Sequence, residues 1–268
     1  MRTLVYFSLA CLLSLTSATA QEHFVYKTES ELLTGADIDG DGDRDLVVVD
    51  QASGLFTIGF TGIGGDVTWS PAQSSGLPAA DDIATGTVQA GKDDAWLAVA
   101  HADSNKIHLV QPGPSVLLSE PISATPTGFG PASIALPDIE GAGLADAADL
   151  ATATVHNGLS PYGLEFAESM GTGTSYNVIQ SEAFSHQPHQ RLNRFSTGLG
   201  ENLAYVQRGV TDTLRVKFMD TLGALSELYI FPGLPSGSDY LVAPFGPGGV
   251  HLLIYKACLL YTSPSPRD

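Results

Sequence analysis

The sequence is short of cysteine. Two cysteines occur in 268 residues, Cys11 and Cys258, and both lie near the ends of the chain. The long stretch between them therefore has no disulfide framework and no cysteine-based metal site. Packing, hydrogen bonds and oxygen-bound ions are the remaining means of stabilising this stretch.

Basic residues are also scarce. The chain has 12 Lys and Arg residues against 29 Asp and Glu residues, which gives a formal net charge of -17 at pH 7. Such a surface repels the phosphates of nucleic acids and anionic membranes. We therefore predict no nucleic-acid partner, and we expect cations, a protein or a polysaccharide as ligands.

The sequence lacks long amphipathic helical stretches. Its β-branched and aromatic residues fall in short runs separated by Gly, Pro, Asn, Asp and Ser, and the chain contains 29 Gly and 16 Pro. Short apolar runs between turn residues are typical of β-strands. The composition therefore predicts an all-β fold.

The first twenty residues have the pattern of a signal peptide. Arg2 precedes an apolar run that ends near Leu15, and Ala18-Thr19-Ala20 resembles a cleavage site. The run is shorter than the roughly 20 apolar residues of a membrane span, which disfavours a transmembrane anchor. We expect residues 1–20 to be cleaved, the protein to be exported to the periplasm, cell surface or medium, and no membrane span to remain.

The last residues differ in character from the rest. Residues 257–268 include the run CLLYTSPSPRD, which resembles translated sequencing-adapter read-through. We expect this tail to be non-native and the natural chain to continue past it, although an ordinary irregular terminus is the alternative.

A pair of predicted strands recurs along the chain. The pair is LVVV followed by LFTIGF in its first copy, and the copies begin near residues 46, 96, 150, 202 and 250, a period of about 50 residues. A unit of this length with four short strands is typical of a β-propeller blade. We predict that residues 21–256 form a propeller with about five visible blades, the last incomplete, and a β-sandwich is the alternative.

One loop is unusually acidic. In DIDGDGDRD, residues 37–45, aspartates stand at positions 1, 3, 5, 7 and 9, with Gly40 and Gly42 between them. Carboxylates at this density suit Ca²⁺, which takes six to eight oxygen ligands. The predicted ligands are the side chains of Asp37, Asp39, Asp41 and Asp45 and the backbone carbonyl of Asp43.

Two other interpretations of this loop are possible. An EF-hand begins in the same way, but it needs an acidic residue at position 12, where this chain has Val48 inside a predicted strand. The second alternative is a solvated acidic turn without metal, in which crowded like charges have no counter-ion.

The acidic loop and the strand after it resemble the FG-GAP or VCBS repeat of integrin-α-like propellers. That resemblance implies a calcium-binding propeller with the same ligands. A weaker copy of the loop occurs at residues 138–146, where Asp138, Glu140 and Asp146 keep positions 1, 3 and 9 and Ala142 replaces the position-5 ligand.

No catalytic constellation is apparent. His186 and His189 are spaced as His-x-x-His, but Pro188 stands between them, and we interpret the segment as a surface loop. The glycines of GFGPAS and GPGG are interpreted as turn residues, and no nucleophile motif is present. We therefore predict a non-enzymatic, exported calcium-binding module with structural calcium. The alternative is the propeller of a secreted carbohydrate-active enzyme, such as a polysaccharide lyase, whose catalytic part is missing.

Overall fold

The computed structural model describes residues 25–62, 64–86, 95–111, 122–124, 130–136, 150–155, 162–169, 176–184, 188–196, 201–207, 210–219, 225–244 and 250–256. All regular elements in these ranges are β-strands. None of the described residues forms a helix that is long and apolar enough to cross a membrane. The all-β prediction is confirmed, while the predicted signal peptide and the tail lie outside these ranges.

The first two sheets lie in the N-terminal half of the chain. The first sheet contains β1 (Val25–Lys27), β2 (Glu31–Ala36), β3 (Asp45–Asp50), β4 (Leu55–Thr61) and β5 (Val67–Trp69), in that order, and β6 (Gln73–Ser74) also pairs with β4. The second contains β7 (Asp82–Gly86), β8 (Trp96–His101), β9 (Lys106–Val110) and β10 (Ile122–Ala124). Consecutive strands pair antiparallel in both sheets.

Three further sheets follow. The third contains β11 (Gly130–Ala135), β12 (Leu150–Val155), β13 (Tyr162–Ser169) and β14 (Tyr176–Phe184). The fourth contains β15 (Pro188–Ser196), β16 (Glu201–Gln207), β17 (Asp212–Met219) and β18 (Leu225–Leu234). In the described residues, the fifth consists of β19 (Ser238–Pro244) and β20 (Val250–Lys256).

The strand pair predicted from the repeat is present in four consecutive sheets. The recurring pairs are β3–β4, β8–β9, β12–β13 and β16–β17, and β20 stands at the start of the fifth predicted copy. One strand precedes the pair in the second, third and fourth sheets, and β1 and β2 precede it in the first, so the repeat does not mark the first strand of a unit.

Neighbouring sheets meet through the second strand of the first sheet and the first strands of the next three. β2 contacts β7, β7 contacts β11, and β11 contacts β15. Antiparallel sheets placed side by side in this way, with equivalent strands toward one axis, form a β-propeller. The predicted fold class is therefore confirmed.

The core lies between the faces of neighbouring sheets. Val47, Val49 and Phe56 of the first sheet share one apolar cluster with Leu97 and Val99 of β8. The alternate residues of β8, Trp96, Ala98 and Ala100, belong to a second cluster with Ile134 and Leu136. Because successive side chains of a strand point to opposite faces, β8 is covered on both faces.

Two segments interpreted as turns or loops form strands. Residues 130–133 of GFGPAS belong to β11, and the register shifts between Pro131 and Ser133, where a proline is tolerated in a sheet. Pro188 and His189 open β15, and the first residue of a strand is another permitted position for proline. Both interpretations are wrong for these residues.

Candidate functional site

The acidic loop connects β2 to β3 and folds around Asp37. One carboxylate oxygen of Asp37 accepts hydrogen bonds from the N–H groups of Gly40 at 2.8 Å and Asp41 at 3.1 Å, and the other accepts from Gly42 N–H at 2.9 Å. Gly40 and Gly42 have φ of 77° and 93°, a backbone region that glycine enters without steric cost. The two glycines thus allow the N–H groups to turn toward one side chain.

Three of the predicted ligands converge in this loop. Asp37, Asp39 and Asp45 each offer a carboxylate oxygen, and these atoms all lie within 4.8 Å of one another. Partial burial raises the pKa of Asp39 above its ordinary value, and the nearby charges of Asp45 and Asp41 raise it further. Like charges held this close favour binding of a proton or a cation.

Asp45 fastens the loop to the sheet. Its side chain is 1% exposed, and its two oxygens accept hydrogen bonds from the N–H groups of Ile38 and Thr61, both at 2.9 Å. Ile38 is itself buried in the cluster between the first two sheets. The backbone carbonyl of Asp37 accepts from Ala95 N–H at 3.0 Å, directly before β8. The loop is therefore connected to two sheets.

The remaining predicted ligands are placed differently. Asp41 is exposed, lies outside the converging group, and accepts a hydrogen bond from Asp43 N–H at 2.8 Å. Asp43 is exposed. The second loop, with Asp138, Glu140 and Asp146, lies outside the described residues, as does His186.

Buried aspartates at strand starts are a feature that the sequence interpretation missed. Asp82 opens β7 and is 3% exposed, and it accepts hydrogen bonds from Ser133 Oγ at 2.7 Å and Ile134 N–H at 3.1 Å in the third sheet. Asp212 opens β17 and accepts from Gly237 N–H at 2.9 Å. Asp45 at the start of β3 follows the same rule. Only Asp45 stands directly before an apolar run, whereas Asp82 and Asp212 precede IATG and TLRVKF, which give no such signal.

Comparison with known proteins gives similarity at the level of the fold. No family model matches the chain, and no curated protein matches it. A crystal structure from Bacteroides fragilis NCTC 9343, described as a "putative 6-phosphogluconolactonase", has a TM-score of 0.51 and 13% identity, with 87% of this chain and 73% of that chain covered. A protein from Lactobacillus plantarum has a TM-score of 0.45 and 11% identity, with 80% and 68% covered.

These findings correct two predictions. The assignment to the FG-GAP or VCBS family is wrong, because no family model matches and the similar structure is a lactonase-like protein. The function built on that assignment, an exported binding module or the propeller of a polysaccharide lyase, is wrong for the same reason. The physical cause is that the family was inferred from one loop and the repeat period, and a short turn motif and a blade-length period can both occur in unrelated propellers. Export and the absence of a nucleic-acid partner stay predictions.

Proposed function

We propose that the acidic loop of this propeller binds one divalent cation, with Ca²⁺ the ion that fits its ligands best. The observation that carries the proposal is the convergence of the carboxylates of Asp37, Asp39 and Asp45 within 4.8 Å of one another. Carboxylate and carbonyl oxygens are the ligands of Ca²⁺, which accepts irregular geometry and completes its shell with water. This proposal concerns a bound ion and does not depend on membership of a calcium-binding family.

The expected role of the ion is to hold the first two sheets together. Partial burial first, and then repulsion from Asp45 and Asp41, raises the pKa of Asp39, and the ion would offset the repulsion. Because Asp45 is bonded to Ile38 and Thr61, and Asp37 to Ala95, an ion on these carboxylates links β2, β3, β4 and the start of β8. Ion binding is then expected to stabilise the interface between these sheets.

Titration calorimetry with CaCl₂ on the metal-free protein tests the site. We expect one ion to bind and the melting temperature to rise, because an ion at 100 times its dissociation constant stabilises the folded state by about 2.7 kcal/mol. For a domain of this size that corresponds to roughly 5–10 °C. Asp39→Asn, which removes one exposed charge and keeps the shape of the side chain, should abolish the binding.

The matched control is Asp66→Asn, which removes the charge of another exposed aspartate outside the loop. This variant should bind Ca²⁺ as the unaltered protein does. Equal loss of binding in both variants would mean that net charge alone, and not the loop, determines Ca²⁺ binding. Absence of binding in the unaltered protein would contradict the proposal, and the loop would then be a solvated acidic turn without metal.

A second candidate function is hydrolysis of a sugar lactone. The observation that favours it is the fold similarity to the Bacteroides fragilis protein over 87% of this chain. In such a reaction, water adds to the lactone carbonyl carbon, the ring C–O bond breaks, and the ring oxygen takes up a proton. The product hydroxy acid ionises at neutral pH, so the reaction releases acid.

The acid release can be followed in a pH-stat with glucono-δ-lactone and its 6-phosphate as substrates. If the chain is a lactonase, we expect both lactones to open faster than in buffer, and the neutral lactone to be preferred, because the net charge of -17 repels a phosphate. Heat-denatured protein is the control. Rates equal to those in buffer for both lactones would reject this candidate and support the prediction that the chain is not an enzyme.

A further inference from the structure

Two buried histidines lie side by side in the second sheet. His101 ends β8 and is 1% exposed, and His108 in β9 is 7% exposed. Their rings pack edge to face, with centroids 5.2 Å apart and planes inclined by 63°. Neither histidine belongs to the acidic loop, so the pair is independent of the proposed cation site.

Both rings contact the segment of residues 75–80, here called the connector, which leads from β6 to β7. Nδ1 of His108 is 2.8 Å from the carbonyl oxygen of Ser75. Nδ1 of His101 is 3.1 Å from that of Pro78 and 3.3 Å from that of Ala79. A carbonyl oxygen can only accept, so each Nδ1 carries the hydrogen and donates it, and Nε2 is the bare nitrogen of each neutral ring.

The connector is held from the other side by the first sheet. The N–H groups of Ser75, Ala79 and Ala80 donate to the carbonyls of Gly54, Ala52 and Gln51. Ala79 has φ of 58°, in the left-handed region that is unfavourable for a residue with a side chain. The connector therefore keeps its conformation through its contacts, and the two histidines supply those on the side of the second sheet.

A protonated His101 fits this site poorly. Its Nε2 is buried and has no hydrogen-bond partner among the described residues. A second ring proton would place a charge and an N–H without an acceptor in that position. Burial accordingly lowers the pKa of His101, and the neighbouring His108 lowers it further, while the carbonyls of Ala79 and Pro78 and the charge of Asp81 oppose the shift.

The other charged groups near the pair lie around Asp81. One oxygen of Asp81 accepts from Ala102 N–H at 2.7 Å, and its charge faces His101, Lys27 and Asp103. Burial has the largest effect on the pKa of Asp81 and raises it. Lys27 Nζ donates to the Asp81 carbonyl at 3.2 Å, and Lys106 is the strand partner of His101.

We propose that His101, packed against His108, forms a pH-sensitive latch, which holds the connector between the first two sheets when its ring is neutral and releases it on protonation. The direction of the effect follows from His101. Its pKa is lower in the folded protein than in the unfolded chain, so between the two values the released state binds more protons. The latched state is therefore fully stable above about pH 6.5 and loses stability as the pH falls below it.

Amide hydrogen exchange of the full chain measures the release directly. After correction for intrinsic rates, we expect exchange at Ala79 and Ala80 to become faster between about pH 7.5 and pH 5, by up to about 30-fold for one ring with an ordinary pKa of about 6.5 in the released state. Amides of β8, such as Val99, serve as the reference within the same molecule.

Substitution then assigns the effect. In His101→Asn, the side-chain amide can donate from the position of Nδ1 but does not titrate, so most of the acceleration should disappear. Asp81→Asn should keep or enlarge the acceleration, because the charge of Asp81 opposes the lowering of the pKa of His101. The proposal is wrong if the unaltered connector exchanges at the same corrected rate at both pH values, or if His101→Asn keeps the full acceleration.

A measurement on the unaltered protein tests the latch even if the variants do not fold. NMR titration of the imidazole signals shows where His101 takes up a proton. We expect this to occur in the pH range in which the connector is released. Release without ring protonation, or ring protonation with a protected connector, would overturn the latch.

Discussion

Replacement of Gly54 by alanine is expected to destabilise the protein by about 4 kcal/mol or more, which is exceptional for the addition of one methyl group. Gly54 lies in the turn between β3 and β4 with φ of 68°. A Cβ atom at this position would lie 2.0 Å from the backbone carbonyl oxygen of Leu77 and 3.0 Å from Ser75 Oγ. The variant thus combines left-handed strain with a collision against main chain.

The collision cannot be relieved by a side-chain movement. Leu77 belongs to the connector, whose ends are bonded to the first sheet and to the two histidines of the second. Gly54 itself is held by hydrogen bonds from its N–H to Asp50 and from Ser75 N–H to its carbonyl. Either the turn or the connector must leave its place, and both lie at the junction of the first two sheets.

Urea unfolding of the purified variants measures this cost. Gly64→Ala is the matched control, because Gly64 also has positive φ, 101°, but no atom within 4 Å of an added Cβ. That variant should lose only the cost of positive φ, about 1–2 kcal/mol. Similar losses in both variants would mean that the close approach of the connector to Gly54 does not exist in solution.

The strand pairs could be predicted because their side chains carry a strong local signal. In β3, Val47 and Val49 are buried while Leu46 is 37% exposed, so the run alternates as a strand with one covered face does. β8 shows the other pattern, an unbroken apolar run from Trp96 to Ala100 that is buried on both faces. Both patterns are visible in the sequence alone.

The strands nearest the axis could not be predicted in the same way. β7 is DIATG and β11 is GPASIA, and both contain small residues, glycine or proline that usually indicate turns. They are strands because neighbouring sheets approach closely. An added Cβ on Gly86 of β7 would lie 2.9 Å from Leu136 Cβ, so only a residue without a side chain fits there. This constraint comes from tertiary packing and leaves little trace in local composition.

The candidate metal loop was predictable in part. Alternate aspartates with glycines between them specify a turn in which carboxylates bind backbone N–H groups, and this chemistry is local. It brought Asp37, Asp39 and Asp45 together, but Asp41 bonds to Asp43 within the loop. The family could not be inferred from this loop. A fold is set by the packing of all sheets, whereas the sequence of one turn indicates only the local conformation of that turn.

Removal of the Asp45 carboxylate should have the second large effect. In Asp45→Ala, the N–H groups of Ile38 and Thr61 lose their acceptor, and Asp45 is 1% exposed, so water does not readily replace it. Each buried donor left without a partner costs about 1–3 kcal/mol, which predicts a total loss of roughly 2–5 kcal/mol. Relief of repulsion with Asp37 and Asp39 offsets part of this, because three carboxylates become two.

Urea unfolding in EDTA isolates this effect from any bound ion. Asp41→Ala is the matched control, since it removes one negative charge from the same loop, but its hydrogen bond to Asp43 N–H is exposed. We expect the control to lose no more than about 1 kcal/mol, because water can replace an exposed acceptor. If Asp45→Ala were as stable as the control, Asp45 would act only as a charge in the loop. A large difference between the two would make Asp45 the anchor that holds the loop to β4, with or without metal.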